Sequence, residues 1–480
     1  MLGLMPINLP KNTGLSRRDM LRLGALSAAG MSLPDIASAA RDDIAIEATK
    51  RATAKHCIYI FLCGGPSQLE MWDPKPEAPL SIRGPFDAID TNVPGIRIGS
   101  LLPQVSQHAD KFSIIRSMNS DTTSHNIGIL YTLLASKIAS VRKKASPNEP
   151  GDHPAIGAIL HKLLGTQGTI PPWVVVPRRF MTGSRFFKGQ TAGFLGRGYD
   201  PLDLNAPKND SLGRTEFQLK NLDFALQGID DRRFAARRQL LTEFEQSSDV
   251  TPASPGVRQM TEHYNKAFAT LSSLETKQAF DVTREPIGLR ERYGMNEYGQ
   301  SFLLARRLVE HGVRMVNVFW TFYGKDGCQF NLWDNHGSDK PVCGGVNKGV
   351  EMLTADYCCP SFDRAFSTLL DDLSGRGLLD DTLVVVVGEF GRTPKINKMT
   401  GRDHWGACYS AVLAGGGVEG GQLHGASDAS AAYVKDLPVS PYDLQATVLH
   451  AFGFGPEAHV SDATARPVRI SDGLPVTALF

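Results

Sequence analysis

The chain has 480 residues, 42% of them apolar and 21% charged, near the norm for folded globular proteins, which excludes wholesale disorder. Lys and Arg number 51 against 50 Asp and Glu, a formal charge of +1, so there is no electrostatic case for nucleic-acid binding. Gly and Pro together make up about 16% of the chain against a usual ~12%, which predicts a loop-rich protein and neither a fibre nor a linker.

Residues 1–39 read as an address and not as fold. Ser16-Arg17-Arg18-Asp19-Met20-Leu21 sets two arginines before a weakly apolar run, Leu23–Leu33, and Ala37-Ser38-Ala39 then offers a small-x-small cleavage pattern. The run has 11 residues, too few to span a membrane at ~1.5 Å per residue, and its Gly, Ser and Ala make it less apolar than a Sec signal. The stretch resembles a twin-arginine export signal, which makes the twin-arginine machinery a partner and the periplasm or the extracellular space the destination. Cleavage leaves 47 basic and 48 acidic residues, a formal charge of −1. Residues 40–55 read as a linker. No later stretch has the ~18 consecutive apolar residues of a membrane span, so the mature chain is expected to be soluble. Twin-arginine substrates cross folded, which suits a protein that takes up its metal before export. An oxidising destination permits disulfides, but spacing does not determine which of the seven cysteines pair. Cys358-Cys359 lacks a second Cys/His pair at ligand spacing and is not a zinc knuckle.

Further along, short runs rich in β-branched and aromatic residues predict strands at Cys57–Cys63, Phe112–Arg116, Trp173–Val176, Val313–Trp320, Thr382–Val387 and Tyr409–Ala414. Unbroken runs such as LVVVV suit strands buried on both faces, as in a parallel sheet. Helical periodicity lies between them at Ser124–Ala135, Ala155–Leu164, Ser301–His311, Ser361–Gly375 and Tyr442–Phe452. The alternation predicts an α/β three-layer sandwich with a mostly parallel central sheet. Residues about 214–285, for example Asp231–Gln246, read as charged amphipathic helices inserted into that domain. The basic stretch Arg142–Asn148 reads as a solvated loop.

In open α/β sheets chemistry gathers beyond the C-terminal ends of the strands. Cys57–Cys63 runs into Gly64-Gly65-Pro66-Ser67-Gln68-Leu69-Glu70-Met71-Trp72-Asp73, where glycine allows a sharp turn or a close approach to a ligand. Phe112–Arg116 leads to Asp121-Thr122-Thr123-Ser124-His125-Asn126 at a helix start. Helix capping accounts for one hydroxyl there, not for three beside a histidine. A helix N-terminus also favours an anion, and a hydroxyl there can attack phosphorus or sulfur. Val313–Trp320 leads to Trp333-Asp334-Asn335-His336-Gly337, an acid and an imidazole in a loop suited to one ion. Thr382–Val387 ends in Gly388-Glu389-Phe390-Gly391-Arg392, and a carboxylate at a buried strand end must be solvated, paired or metal-bound. Its simplest partner is Arg392. Gly401-Arg402-Asp403-His404-Trp405 precedes Tyr409–Ala414. Asp334, His336, Glu389 and His404 together favour a transition metal, Zn²⁺ or Mn²⁺ before Ca²⁺ or Mg²⁺.

The stretches GGPSQLEMWDPKP (64–76), GQTAGFLGRGYDP (189–201), WDNHGS (333–338), GEFGRTPKIN (388–397) and GRDHW (401–405) resemble, in this order, a bacterial twin-arginine-exported domain of unknown function described as sulfatase-like. The resemblance covers about residue 56 to the C-terminus. It implies the alkaline phosphatase/sulfatase superfamily, with one or two metal ions at the strand ends. By that resemblance Asp334 and His336 stand near one pair of ligands, Glu389 takes a strand-end ligand position, and His404 matches a late isolated histidine. Thr122–His125 falls where the nucleophile sits. The chain departs from the superfamily pattern in three places. Cys63-Gly64-Gly65 replaces a metal-binding Asp after the first strand, with Gln68, Glu70 and Asp73 as candidates to compensate. Phe390 follows Glu389 where an Asp-His pair is usual, and no C-x-P-S-R or S-x-P-S-R signature is present.

The first function class is then an exported metal-dependent hydrolase of phosphate or sulfate esters, small or on a polysaccharide. Ser124 or Thr123 is the nucleophile, His125 a proton shuttle or additional ligand, and Arg392 stabilises charge on the transferring group. A metal-bound water as the attacking group fits the same residues. The second class is a non-catalytic extracytoplasmic binding or scaffold protein on the same fold. A third account of Glu389–Arg392 and Asp403–His404 alone is a buried ion-pair network.

Overall fold

All six apolar runs become strands of one sheet, because continuous Val, Ile and aromatic residues can be covered on both faces. In chain order its strands are β1 (His56–Leu62), β2 (Phe112–Met118), β3 (Trp173–Val176), β4 (Leu202–Asp203), β5 (Met315–Trp320), β6 (Thr382–Val387), β7 (Tyr409–Ala414) and β8 (Gln422–His424). The computed structural model describes residues 51–137, 151–204 without 183–184, 273–323, 332–338, 348–480 without 463, and a few positions between. The expected export signal, Arg142–Asn148 and most of the 214–285 insertion lie outside the described residues.

The eight strands lie in the order β8-β2-β7-β6-β1-β5-β3-β4. β1 pairs in parallel with β6 and β5, while β7 runs antiparallel to both β6 and β2. This mostly parallel α/β sheet matches the expected fold class. The short edge strands β4 and β8 carry no apolar run and were not legible from composition. The reversal of β7 matters for the site. Its first residue, Tyr409, lies at the edge where its neighbours end, so the segment preceding β7 reaches the same rim as the segments following β1 and β6.

Beside a single turn at Leu80–Arg83, the described residues form the helices α1 (His125–Leu133), α2 (Ile156–Leu164), α3 (Leu274–Phe280), α4 (Ile287–Tyr293), α5 (Glu297–Glu310), α6 (Cys359–Gly375) and α7 (Pro441–Ala451). One sheet face carries Ile58, Ile60, Leu62, Val316, Val318, Trp320, Val384 and Val386 into a core with Phe302 of α5 and Phe362, Phe366 and Leu369 of α6. At ~25 cal/mol per Å² of apolar surface buried, these side chains dominate the stability of the domain. The other face holds polar positions, and two sets of them are hydrogen-bonded. Tyr59 Oη donates to Thr132 O at 2.9 Å and receives Gln445 Nε2 of α7 at 2.7 Å. Trp173 Nε1 donates to Asn317 Oδ1 at 2.7 Å. Among the described residues no helix is long and apolar enough to cross a membrane. Cys57, Cys358, Cys359 and Cys408 are buried thiols without a disulfide.

Helix α5 begins four residues earlier than the apolar periodicity indicates, because Asn296 caps it. Its Oδ1 accepts from Tyr298 N and Gly299 N at 3.1 and 2.9 Å, and its Nδ2 donates to Ser361 Oγ of α6 at 3.0 Å. Asn296→Ala is therefore expected to lower unfolding free energy by about 1 kcal/mol, read as a shift in the urea midpoint at unchanged slope.

Candidate functional site

At the end of β1 the chain turns through Gly64 (φ 120°) and Gly65 (φ 77°), a backbone only glycine adopts freely. The Gly64 N–H donates to both oxygens of Glu389, at 2.9 and 3.2 Å. A Cβ on Gly64 would lie 2.5 Å from Asp334 N and 2.8 Å from Trp333 C, so a carboxylate side chain has no room at this strand end. Gly64→Ala is expected to cost about 1–3 kcal/mol through positive φ and collision with a backbone that cannot yield, measured by thermal unfolding. The three residues considered as replacements are engaged elsewhere. Gln68 clamps the main chain of Arg392 through both its oxygen and its nitrogen, at 2.9 and 2.8 Å. Glu70 forms a fully buried pair with Arg402 at 2.6 Å. Asp73 meets Lys75 at 2.9 Å and Arg116 at 3.4 Å and accepts a short hydrogen bond from Ser427.

The rim is knit from three loops. Trp333 N donates to Cys63 O at 3.1 Å, tying the segment after β5 to β1, and Arg402 N donates to Asn335 O at 3.1 Å, tying in the segment before β7. Asp334 stands at the centre. Arg392 Nη2 lies 2.6 Å and His404 Nε2 3.1 Å from its Oδ1, while His125 Nε2 and His336 Nε2 lie 3.4 and 3.6 Å from its Oδ2. The fold thus brings Asp334, His336, His404 and His125 together from sites far apart in the chain. Glu389 joins them one residue further out. Its Oε1 lies 2.6 Å from His125 Nδ1, on the opposite side of that ring from Asp334. Sequence reasoning placed Glu389 among the ligands and paired it with Arg392, whereas the pairings are Glu389 with His125 and Arg392 with Asp334. The physical reason is register. Two residues separate Glu389 from Arg392, and a short β-ladder pairs Arg392 with His404, the residue that also meets Asp334. Asp403, expected beside His404, instead accepts from Asn397 Nδ2 at 2.9 Å.

The imidazoles share one feature. Each has its Nδ1 bound: His125 to Glu389, His404 to Thr123 O at 3.0 Å, and His336 to Gly337 O at 2.6 Å. A ring that donates from Nδ1 offers the lone pair of Nε2, the arrangement that outer partners impose on metal-binding histidines. His125 Nε2 is buried and makes no hydrogen bond. His125, Asp334 and His404 present donor atoms within 4.8 Å of one another, a group able to hold one metal ion. Two imidazoles and a carboxylate suit a transition metal. His336 stands beside this group on the more exposed side. Phe390, fully buried, packs its ring against His125 and His404 with centroids 4.9 and 4.8 Å away, forming an apolar wall.

Burial alone lowers the His125 pKa, but the carboxylates of Asp334 and Glu389 on its two nitrogens overcome this and raise it to about 9, so near neutral pH the metal-free ring is charged and Nε2 would become a donor only as a metal ion displaces its proton. Burial pushes the Asp334 carboxyl up, and the Arg392 charge with the His125 and His404 contacts reverses that, holding it well below the usual carboxylate range.

The hydroxyl segment lies at the start of α1. Ser124 is the N-cap residue, yet its side chain makes no capping hydrogen bond, and Thr122 Oγ1 accepts from Ser124 N at 3.2 Å. Thr123 and Ser124 are exposed at the rim, and the Thr123 carbonyl orients His404. Arg392 is fully buried, with Nε and Nη1 donating to Gly65 O and Arg402 O at 2.8 and 3.0 Å and Nη2 reaching Gly64 O and Asp334. Gly64 and Phe390 are the site residues whose roles could not be read from sequence. A glycine after a buried strand signals a close approach, but not what approaches.

The family described as "Protein of unknown function (DUF1501)" matches residues 54–480, and the chain belongs to it. No curated protein matches the chain. Among solved structures, the PsFucS1 sulfatase from a Pseudoalteromonas species is 13% identical at a TM-score of 0.34, covering 86% of this chain and 71% of that one. A phosphonate monoester hydrolase from Silicibacter pomeroyi is 13% identical at a TM-score of 0.32, covering 88% and 76%. A protein in the alkaline phosphatase superfamily from Vibrio parahaemolyticus is 11% identical at a TM-score of 0.34, covering 86% and 75%.

Proposed function

We propose that this chain is an exported metal-dependent hydrolase of phosphate or sulfate esters. The supporting observation is the buried Nε2 of His125, without a hydrogen bond and facing Asp334 beside His404, while every Nδ1 of the cluster is held. His125, Asp334 and His404 would hold a divalent ion, Zn²⁺ or Mn²⁺ in preference to Ca²⁺ or Mg²⁺, with His336 as an additional ligand on the solvent side. Such an ion supplies Lewis-acid polarisation of an ester oxygen when bound.

The remaining roles belong to this chain's own groups. The Ser124 hydroxyl, released from capping and exposed at the N-terminus of α1, is the nucleophile, with Thr123 as the alternative. N–H groups at that helix start favour the anionic group under attack. Arg392 holds Asp334 in place and supplies the positive charge nearest to it. Phe390 excludes water from the inner side of the His125 and His404 rings. Export rests on the arginine pair and cleavage pattern of residues 1–39.

The test loads the purified mature chain with Zn²⁺, Mn²⁺ or Ca²⁺ in turn and screens aryl phosphates, phosphodiesters and aryl sulfates. Metal-dependent turnover that falls at least a hundredfold in Ser124→Ala at unchanged metal content is the expected result. Intact metal binding with no turnover on any ester class favours the binding-protein reading, and no metal binding removes the metal-dependent hydrolase.

A further inference from the structure

We propose that a cavity between the C-terminal end of α1, the segment 188–194 and the hairpin His459–Ser461/Pro467–Arg469 binds an uncharged saccharide unit. The site lies away from the metal cluster and does not depend on the metal-dependent reading. Its volume is about 830 Å³, within the range of small-molecule sites. His125 opens α1 inside the metal cluster, whereas Leu130 and Leu134 line this cavity. At ~1.5 Å per residue, Leu134 lies roughly 13 Å further along the helix axis than His125.

One wall comes from the stretch GQTAGFLGRGYDP (189–201), to which the metal cluster gives no role. Gln190 fixes that wall through the main chain of Phe180, accepting from its N–H at 2.7 Å and donating to its carbonyl at 3.1 Å. Gly193 (φ 50°) lets Phe194 N donate to Asp152 O at 2.9 Å, and a Cβ on Gly193 would collide with that oxygen. The cavity is thus held open by specific contacts from the motif that forms its side.

His153 tells what kind of group the cavity takes. Its Nδ1 lies 3.2 Å from Pro154 O, and a carbonyl only accepts, so Nδ1 carries the proton and Nε2 offers a lone pair. Nε2 is buried and makes no hydrogen bond. Burial lowers the His153 pKa against the opposing influence of the Pro154 and Arg469 main chain and the Asp472 charge, so the ring is neutral near pH 7. An orphaned buried acceptor calls for a donor. Close by in the wall, Ser136 donates to Asp472 Oδ2 at 3.0 Å and keeps its oxygen lone pairs for a second donor.

Charge decides against an anionic ligand. The cations of the wall already face carboxylates of this chain: Lys188 with Asp152 at 3.0 Å, Arg466 with Asp462 at 2.9 Å and Arg469 with Glu457 at 2.9 Å. A phosphate or sulfate entering here would gain no uncompensated positive charge for the water it gives up. Leu130, Leu134 and the Phe194 ring, which packs edge-on to His153 with centroids 5.6 Å apart, add apolar surface. A saccharide matches all three features. Its hydroxyls donate and accept, its C–H face covers apolar side chains, and it carries no charge.

The test titrates the full mature chain with cellobiose, maltotriose and N,N′-diacetylchitobiose, and separately with inorganic phosphate and sulfate. Isothermal calorimetry and saturation-transfer NMR read binding before and after chelation. The expected result is binding of at least one saccharide, equal before and after chelation. His153→Phe keeps the ring packing but removes the nitrogen and should weaken that binding at least tenfold. Val468→Trp fills the cavity from a partly exposed strand position and should abolish it, with circular dichroism confirming both folds. Unchanged affinity in either folded variant overturns the proposal, as does binding lost on chelation, which belongs to the metal rim. No binding of any of the three saccharides overturns it as well, and phosphate or sulfate binding that Val468→Trp removes overturns the uncharged class. None of these outcomes bears on the ester reading, which is tested by turnover.

Discussion

Asp334→Ala is expected to abolish retention of a transition-metal ion and to lower unfolding free energy by about 3–5 kcal/mol, the largest effect of any single substitution at the rim. The two losses have different origins. Metal retention fails because Asp334 is, among the described residues, the carboxylate whose oxygens face His125, His336 and His404 together. Stability falls because Arg392, fully buried, keeps its carbonyl partners but loses the carboxylate that balances its charge. Asp334→Asn separates the two, since it preserves shape while removing charge. The folded-state pKa of Asp334 is depressed, so its contribution is fully present above the unfolded value of ~3.9 and is lost as pH falls through the folded value. The stability gap between wild type and Asp334→Asn should accordingly be constant near neutrality and shrink only in strong acid. Urea unfolding between pH 3 and 7 measures it, and a gap that instead grows on acidification contradicts the pairing.

Glu389→Ala is the second large effect: a ten- to hundredfold loss of apparent affinity for Zn²⁺ without removal of a direct donor. Glu389 is fully buried and accepts from the Gly64 N–H and from His125 Nδ1. Its removal frees the His125 ring to rotate and to change tautomer, so Nε2 is no longer presented to the ion. Glu389→Gln retains an acceptor oxygen but not the charge that favours the imidazole–carboxylate hydrogen bond, and should fall between the two. Isothermal titration of the stripped protein reads the series. Equal affinity in all three proteins would show that Glu389 plays no part in holding His125. Gly128 of α1 supports the same geometry, since a Cβ there would lie 2.9 Å from Glu389 O, which shows how closely α1 is pressed against the strand end.

Much of the site was legible as a set of residues and little of it as a set of contacts. Asp334, His336 and His404 could be singled out because several polar clusters, each weak alone, flank predicted strands of one sheet, where chemistry gathers. His125 could be noticed because three hydroxyls and an imidazole exceed what a helix cap needs. Glu389 was read as a ligand because a carboxylate at a buried strand end demands a partner. That demand is real, but the chain meets it with a backbone N–H and an imidazole. Nothing local reveals this, since Gly64 and Glu389 are 325 residues apart.

Periodicity and unbroken apolar runs alone determined the α/β class, the six inner and near-inner strands and five of the helices, because burial on both faces of a sheet leaves a local signature in composition. Tertiary structure alone decided the strand order, the reversed direction of β7 and therefore the delivery of His404 to the same rim as Asp334. It also decided which charge meets which: hydrogen bonds and ion pairs depend on ångström-scale approach between segments hundreds of residues apart, a quantity that no local pattern encodes.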